Sequence, residues 1–377
     1  MHLFLLDLYI SVDTLAPIID TLNPKKVIIC NVNPIRDYKN DKLLKYLLSK
    51  EIKYINFVPL SKRNKLIYIF TKIVSLMPCA VQKKFQFFYN FVYHNYKFSS
   101  EKLIKKFLIK NKVSSITYES STRPCVKIFY YASRKMKIPM VHISTGLDFD
   151  FVKPQINNKT VNHCDYFVVA NHIREKDTQE INFSIKCLGS ARYSLPWLKK
   201  LNQLIFTKNI KKNESKIKIG IFTKEDGAEG EEVKRLVKKI QTLESFEIEI
   251  RNKPRDIRPF KCSGSSLDKF STTELIDWAD IIISSRPSSV LAECIIKNKF
   301  IILPEYINKE INKSLINEYD FIKVVKSEYE LINLLLKKPK DYLIKNNENF
   351  LNKFLVDFKK EEQVSQNYKN FYQLINS

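Results

Sequence analysis

WADIIISSRPSSVLAECIIKNKFIILPEY, residues 278–306, decides the fold. DIIISS (280–285) is a short Ile-rich run, the mark of a buried strand. SSVLAECIIKN (288–298) puts Val290, Leu291, Cys294 and Ile295 on one helical face. FIILPEY (300–306) is a second apolar run. Two buried strands joined through a helix make a βαβ unit, and such units build a parallel sheet covered on both faces. Pro287 suits a position at or just before a helix start, where Ser288 or Ser289 can cap it.

The alternation continues on both sides. After the polar, Lys/Asn-rich TKNIKKNESK (207–216), strands are expected at 217–223 and 246–252, and helices at 231–243 and 272–279. Upstream, HLFLLDL (2–8), KKVIICNV (25–32), KYINFVP (53–59), SSITYE (114–119), PMVHIST (139–145) and DYFVVAN (165–171) read as strands. Helical patterns at 40–50, 100–111 and 122–137 fall between several of them. The expected fold class is α/β, with two Rossmann-like domains in tandem. Residues 1–206 form the first and 216–340 the second, with C-terminal helices over 341–377 packing back on the first. Ligands of such sheets sit at the carboxyl ends of the strands, here expected in the cleft between domains.

Of the 377 residues, 64 are Lys or Arg and 40 are Asp or Glu, a formal charge of +24. That balance favours anionic partners. The basic residues are spread along the chain and no nucleic-acid-binding motif accompanies them, so nucleic acid is not an expected partner. Seven cysteines, none in CxxC spacing, argue against a disulfide framework or a zinc site. Five histidines show no HxxxH or HxH spacing, and no metal or other cofactor is expected. MHLFLLDLYI lacks a basic leader region and is interrupted by Asp7, so it reads as a first strand. No uncharged apolar run reaches the roughly 18 residues of a membrane span, so no transmembrane helix is expected; the odd number of cysteines without CxxC spacing fits a reducing compartment, and the expected location is cytoplasmic. The basic, aromatic segment 62–97 has two readings: a patch docking on the inner membrane face, or core helices with lysines on the wet side.

Several positions carry candidate chemistry. In EIRNKPRDIRP (249–259), Arg251, Lys253, Arg255 and Arg258 follow an apolar strand and suit a diphosphate or an acidic sugar. Arg286, Ser288 and Ser289 lie where strand turns to helix, and could hold phosphate; simple helix capping is the alternative. Glu293 stands one turn beyond the serines, where a carboxylate could accept both hydroxyls of a ribose. Gly220, Gly227 and Gly230 offer either a phosphate or ribose seat or an ordinary loop.

The 278–306 segment resembles the donor site of GT-B glycosyltransferases that build bacterial surface carbohydrates. RNKPRD resembles the R-x-H/K-P-x-D element of the superfamily holding capsule Kdo transferases and CDP-glycerol glycerophosphotransferases. LGSARYSLPW (188–197) resembles its GSPRY…W element. Lys253 replaces a frequent His, and Ala191 a frequent Pro. The resemblance implies a nucleotide-activated donor on the second domain and a glycan or lipid-linked glycan acceptor on the first. It implies a first-domain catalytic carboxylate, for which Glu119 and Asp148 are preferred over Asp150. Arg123 could hold an acidic acceptor, or the ESSTRP turn could simply cap a helix. His142 could face the cleft or simply pack. DFD (148–150) matches the metal-binding DxD of GT-A enzymes, but a two-domain layout without a metal cluster argues against that role. Two alternatives differ in class. One is a non-hydrolysing UDP-sugar 2-epimerase, whose IP-x-x-H-x-x-x-GL element IPMVHISTGL (138–147) resembles, although its Ser-Gly-Gly turn with paired glutamates is absent. The other is a non-catalytic basic protein that binds nucleic acid or membrane.

Overall fold

The computed structural model describes residues 1–7, 10–33, 38, 41–57, 73, 101–119, 124–144, 163–172, 183–205, 216–223, 228–252, 266–267, 270–285, 290–307, 322–337, 351–352, 355, 360 and 362–375. They divide into two compact α/β units, each built on its own parallel sheet.

The first sheet holds β1 (His2–Leu6), β2 (Val27–Asn31), β3 (Lys53–Asn56), β4 (Ser115–Tyr118), β5 (Met140–Ile143), β6 (Tyr166–Val169) and β7 (Ser184–Cys187). Its order is β3-β2-β1-β4-β5-β6-β7. Helices α1 (Ile10–Thr21), α2 (Lys42–Leu48), α3 (Glu101–Lys110) and α4 (Pro124–Arg134) belong to the same unit. Every residue of β1, β2, β4 and β5 is buried. Strands covered on both faces favour apolar side chains on both, and the polar members of these four, His2, Asn31, Ser115, Thr117 and His142, are buried with them.

The second sheet holds β8 (Ile217–Thr223), β9 (Phe246–Asn252), β10 (Ser266–Leu267), β11 (Ile281–Ser284), β12 (Phe300–Pro304) and β13 (Ile322–Val325), in the order β10-β9-β8-β11-β12-β13. Helix α5 (Leu195–Ile205) is where the division between units falls, after Trp197. Helices α6 (Ala228–Gln241), α7 (Thr272–Trp278), α8 (Val290–Ile296) and α9 (Glu328–Leu336) follow. The last helix, α10 (Gln363–Leu374), belongs to the first unit. Its Tyr372 hydroxyl lies 2.7 Å from Thr117 Oγ1, and its ring meets the His2 ring edge-on at 5.0 Å. Tyr368 donates to the Gly189 carbonyl at 3.2 Å.

Both sheets repeat one rule. The chain lays down a central strand, adds two neighbours on one side, then crosses to build the other side. The crossing leaves a topological switch point between β1 and β4 in one sheet and between β8 and β11 in the other. Adjacent connections leave such a point in opposite directions, which opens a crevice at the strands' carboxyl ends.

Some elements escape the apolar pattern. β7 is half-buried along its length, β13 carries Lys323, and β10 has only two residues. α1 holds Pro17 in its interior, a residue that argues against helix in sequence. The KKVIICNV run is shorter as a strand, because Pro24–Lys26 forms a 3-10 turn whose Asn23 side chain accepts from the Lys25 amide. Gly220 serves packing: a Cβ there would stand 3.0 Å from both Ala279 Cβ and Ile282 Cδ1. Its missing side chain lets the end of α7 settle onto β8. Among the described residues no helix is long and apolar enough to cross a membrane. Apart from Ile73, segment 62–97 lies outside the described residues.

Candidate functional site

The carboxyl ends of the first sheet gather buried polar side chains. Asp7 follows β1, Asn31 ends β2 with Asn33 just beyond, Glu119 follows β4, His142 stands in β5, and Asn171 follows β6; all are buried. Ser11, on the first turn of α1, bridges the switch point. The Asp7 amide donates to Ser11 Oγ at 3.2 Å, and Ser11 Oγ donates to Glu119 Oε1 at 2.8 Å. The Asn33 side-chain amide donates to the Asp7 carbonyl, and Asn31 Oδ1 accepts from the Asn33 amide at 2.9 Å. His142 Nε2 lies 3.2 Å from the Glu119 carbonyl. A carbonyl only accepts, so Nε2 carries the proton in this contact. The ring is fixed further by stacking on Tyr118, with centroids 5.0 Å apart and planes 3° from parallel. Burial first, and then the charge of nearby Asp7, push the Cys125 thiol well above its ordinary range. Cys125 is therefore a core residue beside the cluster and not a nucleophile.

At the second switch point, Thr223 ends β8, while Ser284 and Ser285 end β11; all three are buried. The Ser285 amide donates to the Phe222 carbonyl at 3.0 Å, carrying the ladder to the end of the strand. On β9, buried Glu249 and half-buried Arg251 lie beside Gly220 and Phe222 of β8.

Glu293 sits in the first turn of α8, only 4% exposed. Its Oε1 accepts no hydrogen bond among the described residues. Lys297 Nζ, four residues on and just past the end of α8, stands 3.5 Å from it. Lys297 is closer to Asp277 Oδ1 on α7, at 2.7 Å, and also reaches Asn202 Oδ1 at 3.5 Å. Three charged side chains of the second unit thus meet, two negative and one positive.

Of the residues singled out from sequence, the structure brings Glu119 and His142 together in the first unit. It puts Arg251 and Glu293 in the second. Asp148, Asp150, Arg123, Lys253, Arg255, Arg258, Arg286, Ser288 and Ser289 lie outside the described residues. Asp7, Ser11, Asp277 and Lys297 were not singled out. Asp7 had a signal, a lone carboxylate ending an apolar strand. The Ser11–Glu119 bond spans 108 residues and leaves no local trace. Among the described residues, no group of three or more His, Cys, Asp or Glu side chains could hold a metal ion.

The chain matches no family model and no curated protein sequence. Its fold is shared by solved structures over nearly the whole length. One is S. aureus MnaA in a co-structure with UDP, at 12% identity and a TM-score of 0.58, covering 99% of this chain and 97% of that one. A second is the glycotransferase of kitacinnamycin, at 8% identity and 0.57, covering 99% and 98%. A third is the UDP-N-acetylglucosamine 2-epimerase of Rickettsia bellii, at 15% identity and 0.58, covering 99% and 96%. The structural neighbours are GT-B glycosyltransferases and UDP-N-acetylglucosamine 2-epimerases, and the fold is GT-B-like.

Proposed function

We propose that this chain is a nucleotide-sugar enzyme, a glycosyltransferase that moves a sugar from a nucleotide-activated donor to a surface glycan or lipid-linked glycan acceptor. The observation that carries this reading is Glu293. It is a buried carboxylate in the first turn of α8, the helix that follows the switch-point strand, with an oxygen that accepts no hydrogen bond among the described residues. Leaving such an acceptor unused costs free energy that a ligand's hydroxyl pair recovers. In this reading Glu293 accepts the ribose hydroxyls. Arg251, Lys253, Arg255, Arg286, Ser288 and Ser289 surround the phosphates and offset the charge that grows on the leaving nucleotide. Glu119 takes the proton from the attacking acceptor hydroxyl as the bond from the anomeric carbon to phosphate breaks. Ser11 and His142 fix its position, and Asp148 is the second candidate base. Arg123 holds an acidic acceptor. The chain's excess of positive charge suits an acidic donor sugar such as CMP-Kdo. The protein works in the cytoplasm, where peripheral contact with the inner membrane face is a reading to be tested against that of core helices for the basic aromatic segment 62–97.

The test is a thermal-shift screen with CMP, CDP and UDP on the wild type and on Glu293→Ala. At least one nucleotide raises the wild-type Tm, and the variant loses that shift. If no nucleotide shifts the wild type, this reading is wrong. An epimerase is the second reading, favoured by His142 standing against Glu119. NMR of a UDP-sugar incubated without acceptor separates the two, since only an epimerase changes the sugar. Co-sedimentation with anionic liposomes at low salt checks the membrane contact, and a protein that stays in the supernatant removes it.

A further inference from the structure

The ion pairs around Glu293 compete. Lys297 Nζ has two carboxylates within ion-pair reach, Asp277 at 2.7 Å and Glu293 at 3.5 Å. The shorter contact is a charge-assisted hydrogen bond; the longer is an ion pair in which Glu293 Oε1 accepts no hydrogen bond among the described residues. Asn202 Oδ1, also at 3.5 Å, adds a third acceptor away from Glu293. The Lys297 side chain is mostly buried, so bulk water screens these preferences little.

Resting on the nucleotide site proposed above, we infer that Asp277 is a positioning residue: it draws Lys297 away from Glu293 and so keeps the Glu293 carboxylate open to a ribose diol. A lysine four residues along a helix is placed to close on a glutamate. Were it to do so, its ammonium would occupy the oxygen that a 2′- or 3′-hydroxyl needs. Held by Asp277, the same lysine still offsets the buried negative charge without blocking it. Asp277 thereby sets selectivity for ribonucleotides while touching no ligand.

The experiment measures Kd for UDP and 2′-deoxy-UDP, and for CMP and 2′-deoxy-CMP, on the full chain. The ratio within each pair is independent of the folded fraction of a preparation. The wild type prefers the ribonucleotide, by about tenfold for one hydrogen bond to a charged group. Asp277→Asn frees Lys297 to close on Glu293, and the preference collapses toward one. Adding Lys297→Gln to Asp277→Asn removes the competitor, and the preference returns. A merely structural role for Asp277 would not give that recovery. Should Asp277→Asn fail to fold, Lys297→Gln alone carries the test, and its ribose preference stays at or above the wild-type value. Nucleotide binding with an unchanged ratio in Asp277→Asn, or a ratio that falls in Lys297→Gln, overturns the role of Asp277 while leaving the nucleotide site standing. A wild type that binds ribo and deoxy forms equally removes the diol contact itself. One that binds none of the four removes the nucleotide site, and the inference with it.

Discussion

A buried carboxylate oxygen that accepts no hydrogen bond is a cost to the unliganded protein, and Glu293 carries one among the described residues. Glu293→Gln therefore leaves the unliganded Tm unchanged or higher, yet abolishes the nucleotide-induced shift; a melting curve with and without UDP or CMP checks both halves. Glu119 carries the second prediction. Glu119→Gln keeps its shape and its place beside Ser11 but cannot accept a proton, so kcat falls by about 10²–10⁴ with KM little changed. His2 supplies a pH effect. Burial, then the neighbouring N-terminus and Lys26, lower its pKa from 6.5 to about 4. Its folded state thus stays neutral where the unfolded state already binds a proton. Its contribution to stability is full above pH 6.5 and is lost as pH falls toward 4. Tm measured across that window drops, and His2→Gln blunts the drop. At this scale a charge that interrupts an apolar pattern is visible in the sequence, as at Glu119 and Glu293, both of which are buried. It was silent where the partner is distant in the chain: Asp277 on α7 and Lys297 just past α8 lie 20 positions apart, and neither stands out alone.

The elements divide in the same way. β1, β8, β11 and β12 announce themselves because both their faces are covered. β7 and β13 do not, because partly buried strands tolerate Lys186 and Lys323. α1 was hidden by Pro17, whose missing N–H is tolerated here inside a helix with buried Val12, Leu15, Ala16, Ile18 and Ile19. Packing overrides propensity in that case. Gly220 tests how tightly the second sheet accepts α7. Gly220→Ala brings a methyl group to 3.0 Å from Ala279 and Ile282 and to 3.2 Å from Leu275 Cγ. Overpacking of this kind costs about 1–3 kcal/mol, read as a lower midpoint in urea. An unchanged midpoint would mean that α7 moves freely enough to absorb it. The glycine drew notice in sequence as a possible ligand seat; its neighbours show that it is a packing device.

At the scale of the molecule, parallel strands alternating with helices made two tandem sheets legible from sequence. The strand order was not, because apolar runs do not say which neighbour each chooses. The docking of α10 rests on specific contacts: Tyr372 with Thr117, the His2 ring against Tyr372, and Tyr368 with Gly189. Tyr372→Phe leaves the buried Thr117 hydroxyl without this partner and costs about 1 kcal/mol, with nucleotide binding unchanged. Chemical denaturation beside a binding titration checks it, and a loss of binding would show that α10 acts on the site. The same contact bears on how the protein is made. Thr117 and Tyr372 are 255 positions apart. At about 5–20 residues per second, translation separates their emergence by tens of seconds. Through that interval the surface around Thr117, His2 and Phe4 lacks the helix that covers it, while the second sheet emerges and can fold as one continuous stretch. The unit begun first is thus completed last.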